Sequence, residues 1–116
     1  MKKFFVLYRV PVETMQDWKA DTSPEEMQAQ GKKMGEEMQA WMQKYASSIT
    51  DKGLPLGKNT RMTASGAEAV TNDLNYYYIV EAESLDDVIA MFKENAHLQM
   101  IPNSFIDIME VSSPGM

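Results

Sequence analysis

The sequence has no cysteine, one histidine and no long apolar run, and each shortage excludes a class of function. Without cysteine there is no disulfide framework, no thiolate nucleophile and no sulfur-ligated metal site. Lysine and arginine number 11 against 17 acidic residues, which gives a net charge of −6. A chain with this balance and no basic cluster lacks the surface that phosphates require. We therefore expect neither nucleic acid nor anionic membrane as a partner.

The apolar runs are too short for a membrane span or a secretory leader. The first run follows two lysines and is interrupted by Arg9 after five residues, and Pro11 follows soon after. A spanning helix needs about 20 apolar residues, and a leader ends in small residues before its cleavage site. With 116 residues, 44% of them hydrophobic, we expect one domain over residues 1–111, a flexible tail over 112–116 and a cytoplasmic location.

Recognised catalytic and cofactor motifs are also missing. The sequence has no phosphate-binding glycine loop and no Gly-x-Ser-x-Gly nucleophile motif. One histidine with scattered acids is weak evidence for a metal site, since structural and catalytic zinc sites use several such ligands. The sequence therefore implies no cofactor and no metal.

Two segments have the composition of strands that are buried on both faces. Residues 4–10 and residues 74–82 each place apolar or aromatic side chains at both alternating sets of positions. This pattern is typical of interior strands. A last strand is predicted over residues 105–111. A hairpin is predicted on either side of Ser65-Gly66, because that pair is typical of a tight turn.

Two helices are indicated by their start signals. Ser23-Pro24-Glu25-Glu26 offers an N-cap serine, a proline at the first helical position and a glutamate that completes a capping box. Ser84 with Asp87 starts the second helix in the same way. The first helix carries a stripe of methionines, which indicates either core packing or a soft binding surface. Residues 12–22 and 96–102 are predicted to be connections.

The element order predicts an α+β fold. Strand, helix, hairpin, strand, helix and strand make a ferredoxin-like sandwich (βαββαβ with an extra hairpin) with two helices on one face of an antiparallel sheet. The strands are apolar on both faces, yet the helices cover only one. The uncovered face needs a partner, and a second copy of the chain is the simplest one. We therefore expect a homodimer in which two sheets pack face to face as a dimeric α/β barrel.

Strand parity predicts which side chains face the barrel. In the ferredoxin-like order the first strand lies between the third and the fourth, antiparallel to both. The side chains that point away from the helices are then Phe5, Leu7, Arg9, Tyr77, Ile79, Glu81, Phe105, Asp107 and Met109. Five candidate site residues are expected at one mouth of the barrel: Arg9, Trp18, Tyr77, His97 and Asp107.

Three functions are compatible with that mouth. Arg9, Trp18 and Tyr77 suit a small anionic or aromatic ligand, since a guanidinium binds carboxylates through two hydrogen bonds. His97, oriented by Asp107, suits a general base in an enzyme of the proton-transfer, lyase or hydrolase type. Alternatively, Arg9 and Asp107 form an ion pair that only neutralises buried polar groups, in a structural dimer without a ligand.

Short motifs along most of the chain resemble the YCII-related (DGPF-type) family. They are Leu7-Tyr-Arg9, Ser23-Pro-Glu-Glu-Met27, Trp41-Met42, Gly53-x-Pro55-Leu-Gly57, Tyr77-x-Ile79-Val-Glu-Ala-x-Ser84-Leu-Asp86, Ala96-His-Leu98 and Ile106-Asp-Ile-Met-Glu110. The resemblance implies a dimeric α/β barrel and, for most members, no assigned reaction. His97 matches a histidine that is common in related sequences.

Two departures from the family concern activity. The Asp-Gly-Pro-Phe signature is replaced by Thr71-Asn-Asp-Leu-Asn75, and the histidine that some members carry near the first helix is absent. The family's His–Asp pair therefore does not transfer to this chain. The interpretation that remains is an uncharacterised small-ligand-binding or accessory homodimer.

Overall fold

The structure is a computed structural model and describes residues 1–111. The tail predicted over 112–116 lies outside these residues. In chain order the elements are β1 (Lys2–Arg9), α1 (Val12–Asp21), α2 (Pro24–Lys44), β2 (Ile49–Asp51), β3 (Asn59–Thr63), β4 (Gly66–Val70), β5 (Leu74–Ala82), α3 (Leu85–Lys93), α4 (Ala96–Met100) and β6 (Phe105–Glu110).

The main sheet has four strands in the order β2-β5-β1-β6. β1 is antiparallel to both of its neighbours, so that Leu7 lies between Tyr77 on β5 and Asp107 on β6. This confirms the predicted central position of β1 and its antiparallel direction to both neighbours. β3 and β4 form a separate two-stranded hairpin, as expected, and its turn lies at Ala64 and Ser65, one residue before the predicted pair.

The core lies between one face of this sheet and the helices α2 and α3. Trp41 on α2 donates a buried hydrogen bond from Nε1 to the carbonyl of Met91 on α3, at 2.8 Å. This bond satisfies the indole nitrogen inside an otherwise apolar layer. The buried cluster consists of Phe4, Val6, Tyr8, Trp41, Tyr78, Val80, Ala82, Val88, Met91 and Phe92. The predicted α+β class, with helices on one face of an antiparallel sheet, is confirmed; residues 1–111 do not by themselves close a barrel.

Serine caps start α2 and α3 as the sequence predicts. The Ser23 hydroxyl accepts a hydrogen bond from the Glu26 amide at 3.2 Å, and Pro24 occupies the first helical position. The Ser84 hydroxyl accepts from the Asp87 amide at 3.3 Å. Each cap satisfies an amide that has no partner within the helix.

Both predicted connections contain helices. α1 occupies residues 12–22 almost entirely and buries no residue, so it lacks the apolar periodicity by which a helix is recognised from sequence. α4 is a single turn that begins after Asn95, whose side chain accepts from the His97 amide at 3.0 Å. The prediction of loops at both places was wrong because neither helix presents a stripe of apolar residues.

The segment between α2 and β3 adds one short strand to the main sheet. This strand, β2, pairs with β5, and Pro55 forms an isolated bridge to Tyr76. None of the helices in the described chain combines the length and the apolarity that crossing a membrane requires.

Candidate functional site

Arg9 is the centre of an ion cluster on the sheet face that the helices leave open. Its Nε donates to Oδ1 of Asp73 at 2.9 Å, and its Nη2 lies 2.8 Å from the same oxygen. Its Nη1 donates to Oδ2 of Asp107 at 2.8 Å. One planar guanidinium therefore bridges two carboxylates that lie 34 positions apart in the sequence.

The ends of three strands position this cluster. Arg9 is the last residue of β1 and pairs with Phe105 at the start of β6. On the other side the register shifts after Tyr8, so that Arg9 pairs with Leu74, directly after Asp73. The carbonyl of Asp73 also accepts a hydrogen bond from the Val10 amide at 2.8 Å, which fixes its backbone beside β1.

Asp73 is the site residue that the sequence interpretation missed. It lies in the turn Asn72-Asp73, where an acid is explained well enough by local turn chemistry. The Asn72 side chain does accept from the Leu74 amide at 2.9 Å, as such turns require. One sequence feature could have identified Asp73. It directly precedes β5, and because β5 runs antiparallel to β1, the start of β5 lies beside the end of β1.

The cluster carries a net charge of about −1 when all three groups are ionised. Hydrogen bonds to Asp107, and to a smaller extent to Asp73, raise the pKa of Arg9. Side-chain exposures of 33% for Arg9, 28% for Asp73 and 42% for Asp107 leave the pairs within reach of water, which weakens each of them. An anionic ligand would meet two carboxylates at this guanidinium, so the predicted preference for an anion receives no support from this geometry.

Aromatic side chains flank the cluster on the same face. The guanidinium carbon of Arg9 lies 5.6 Å from the centre of the Phe105 ring, within cation–π range. Phe5 and Tyr77 pack against each other with ring centroids 5.9 Å apart. Tyr77 is thus on the face where strand parity placed it, directly across from Leu7.

Trp18 belongs to a different neighbourhood. It lies on α1, and its indole Nε1 donates to Oε1 of Gln30 on α2 at 2.7 Å in an exposed position. This contact ties the two helices together. Its proposed role as a ligand contact stays a prediction, since the hydrogen bond connects Trp18 to α2 and not to Arg9.

His97 lies on the opposite side of the sheet from Asp107. It is 3% exposed, and its ring centroid is 4.6 Å from that of Tyr8, which faces the helices. Its Nε2 is 3.1 Å from the carbonyl oxygen of Arg9. A carbonyl only accepts, so Nε2 carries the proton. Burial lowers the pKa of His97, which favours the neutral ring.

The structure therefore brings Arg9 and Asp107 together but separates His97 from Asp107. Asp107 pairs with Leu7 on the open face, whereas His97 packs on Tyr8, the next residue, whose side chain points to the other face. The hydrogen bond of the His97 ring runs to the backbone of Arg9. The arrangement does not bring His97 and Asp107 together as a base and its orienting acid, so that role stays a prediction.

A cavity of about 310 Å³ adjoins the cluster where β1 ends and β5 begins. Asp73 forms part of its wall, and Met15, Gln16 and Lys19 of α1 form another part. α1, which the sequence interpretation treated as a loop, thus encloses this end of the sheet. Among the residues that the structure describes, no group of three or more His, Asp or Glu side chains is arranged to hold a metal ion.

Comparison with known proteins leaves the family undecided. The chain matches no protein-family profile. No curated protein matches it in sequence. Among solved structures it is similar to 5-chloro-2-hydroxyhydroquinone dehydrochlorinase (TftG) from Burkholderia phenoliruptrix AC1100 in complex with 2,5-dihydroxybenzoquinone, with 18% identity, 90% of each chain covered and a TM-score of 0.43. A similarity of this size assigns neither a family nor an activity to the chain.

Proposed function

We propose that this chain is a YCII-like protein that forms a homodimer and binds a small ligand at the Arg9 end of its open sheet face. The observation that carries the proposal is the open face itself, where apolar and aromatic side chains surround one ion cluster. Phe105 and Met109 are 38% and 42% exposed, and Phe5, Leu7, Tyr77 and Ile79 are half-buried. Solvent-exposed apolar faces of this kind mark interfaces or ligand sites.

The size of the open face suits a pair of sheets. Four strands about 4.8 Å apart, with about 3.4 Å per residue, give a face of about 20 Å by 25 Å. Two such faces bury about 1,000 Å² in total, which reaches the lower limit for a specific interface. A homodimer accounts for the apolar residues on both faces of β1 and β5.

The ligand that the site favours is small, aromatic and uncharged or cationic. Phe5, Tyr77 and Phe105 supply aromatic faces on which a ring or a cation packs favourably. Asp73 and Asp107 each keep one carboxylate oxygen that does not contact Arg9, so both can accept from a ligand N–H. Their excess negative charge attracts a cation and repels an anion.

A thermal-shift comparison of two similar ligands tests this function. Benzylamine and benzoate share the ring and differ in the sign of their charge. At equal millimolar concentration we expect benzylamine to raise the melting temperature of the wild type, because bound ligand stabilises the folded state, and benzoate to leave it unchanged. The variant D107N should lose most of the benzylamine effect, since it removes one of the two carboxylates.

A matched substitution keeps the comparison specific. D86N removes the same charge from the first turn of α3, on the helix side, and should retain the full benzylamine shift. Equal shifts with benzylamine and benzoate would contradict the proposed electrostatic preference. A shift that persists in D107N would place the ligand elsewhere on the protein.

A further inference from the structure

A second cavity, of about 200 Å³, lies on the other side of the sheet, between α2 and the strands. Its floor is formed by the rings of Tyr8, Tyr76 and Tyr78, whose centroids lie 5.2–5.9 Å apart. His97 and Ile101 lie at one end of the cavity, and Asn75, near the start of β5, also lines it. The Arg9 cluster faces the opposite way, so this cavity is separate from the site described above.

Methionines of α2 form the roof of the cavity. Met34, Met38 and Met42 follow one another at four-residue spacing and therefore share one helix face. All three are only half-buried, and Met38 and Met42 pack against the edge of the core cluster. Methionine is flexible and its sulfur packs well on aromatic rings, so this roof can adapt to a guest.

The lining offers a guest few polar partners. Tyr8 is 2% exposed, and its hydroxyl is buried beside the side chain of Asn95, so it is closed to a guest in the cavity. No Asp, Glu, Lys or Arg is among the described residues that line the cavity. A charged guest would therefore lose its hydration without compensation.

We propose that this cavity binds a neutral, single-ring aromatic molecule, with the ring between the methionines and the tyrosines. The size agrees, since a cavity of about 150 Å³ lined by apolar side chains accommodates benzene. The cavity here is about a third larger, which leaves room for a small substituent.

Methionine methyl NMR tests the proposal directly. Phenol is titrated into protein labelled with ¹³C at the methionine methyl groups, and we expect saturable shifts at Met34, Met38 and Met42. Met109 on the open face and Met62 on the hairpin report binding elsewhere. Phenol shifts that are confined to Met109, or spread evenly over all methionines, would overturn the proposal.

Two variants separate occupation of the cavity from a general effect. M38W places a larger side chain in the roof and should abolish the phenol shifts of Met34 and Met42. M27W makes the same change on α2 away from the cavity and should leave them intact. Thermal unfolding shows whether each variant is folded. Retained phenol shifts in folded M38W would overturn the proposal.

Discussion

At the scale of single residues, Arg9 lies where strand parity predicts it, 2.8 Å from Asp107. The second carboxylate, Asp73, changes what the guanidinium can do, because it takes Nε and one N–H of Nη2. Asp73 comes from a turn, where sequence pattern carries little information about neighbours in space.

His97 gives a prediction at the same scale, since it is the only histidine in the chain. Burial holds its pKa in the folded state below the ordinary value of 6.5. The unfolded state therefore binds more protons as the pH falls from about 7 into the range below 6.5. The stability that the neutral ring contributes is fully present above about pH 7 and is lost as the pH falls, by at most about 1.4 kcal/mol per pH unit.

Urea unfolding between pH 5.5 and 7.5 measures this effect. We expect the free energy of unfolding of the wild type to fall towards pH 5.5. In H97Q the slope should be flatter, because glutamine does not titrate and still offers an N–H to the carbonyl of Arg9. Equal slopes in the two proteins would mean that His97 titrates in the folded state as it does in the unfolded chain.

At the scale of elements, start signals and apolar alternation located the strands and the helices α2 and α3, whereas α1 and α4 were missed. α2 and α3 have serine caps and face the core. α1 buries no residue, and α4 is only five residues long. Neither segment shows the apolar periodicity by which a helix is distinguished from a loop in the sequence.

Alanine substitutions at two glycines should change the free energy of unfolding in opposite directions. Gly53 follows β2 with a φ of +62°, and a Cβ there would lie 1.7 Å from the carbonyl oxygen of Tyr77 on β5. G53A should therefore lower the free energy of unfolding by about 2–4 kcal/mol, through backbone strain and displacement of β5. Gly35 lies in the open on α2, so G35A should raise it by about 0.5–1 kcal/mol.

Chemical denaturation of both variants checks this pair. G57A is the control, because the φ of Gly57 is not positive and an added methyl group would meet no described atom within 4 Å, so we expect little change there. A neutral effect of G53A would show that the segment after β2 moves away from β5 easily. A loss of stability in G35A would mean that another surface contacts this face of α2.

At the scale of the whole molecule, the decisive feature is the sheet face without a cover. Ile79 lies near its middle, paired with Phe5 on β1 and with Asp51 on β2. If two sheets pack together, I79K places a charge inside the interface, and the dimer should dissociate. Light scattering after size exclusion should give the mass of a dimer for the wild type and of a monomer for I79K.

The matched control is I89K, the same substitution at an exposed position on α3, on the helix side. It should remain dimeric. A wild-type protein that is monomeric at micromolar concentration would contradict the dimer, and a dimer that survives I79K would place the interface on another surface.

The sequence by itself determined the strands, the two capped helices and the face of the sheet on which each strand residue lies. Those features depend on local caps and on the two-residue alternation of a strand, which are written in neighbouring positions. Tertiary structure decided the rest: the pairing of Asp73 with Arg9, the burial of His97 behind Tyr8, and the space under the methionines of α2. These depend on distances between elements that are remote in sequence. No local pattern fixes such distances, because they follow from how whole layers pack.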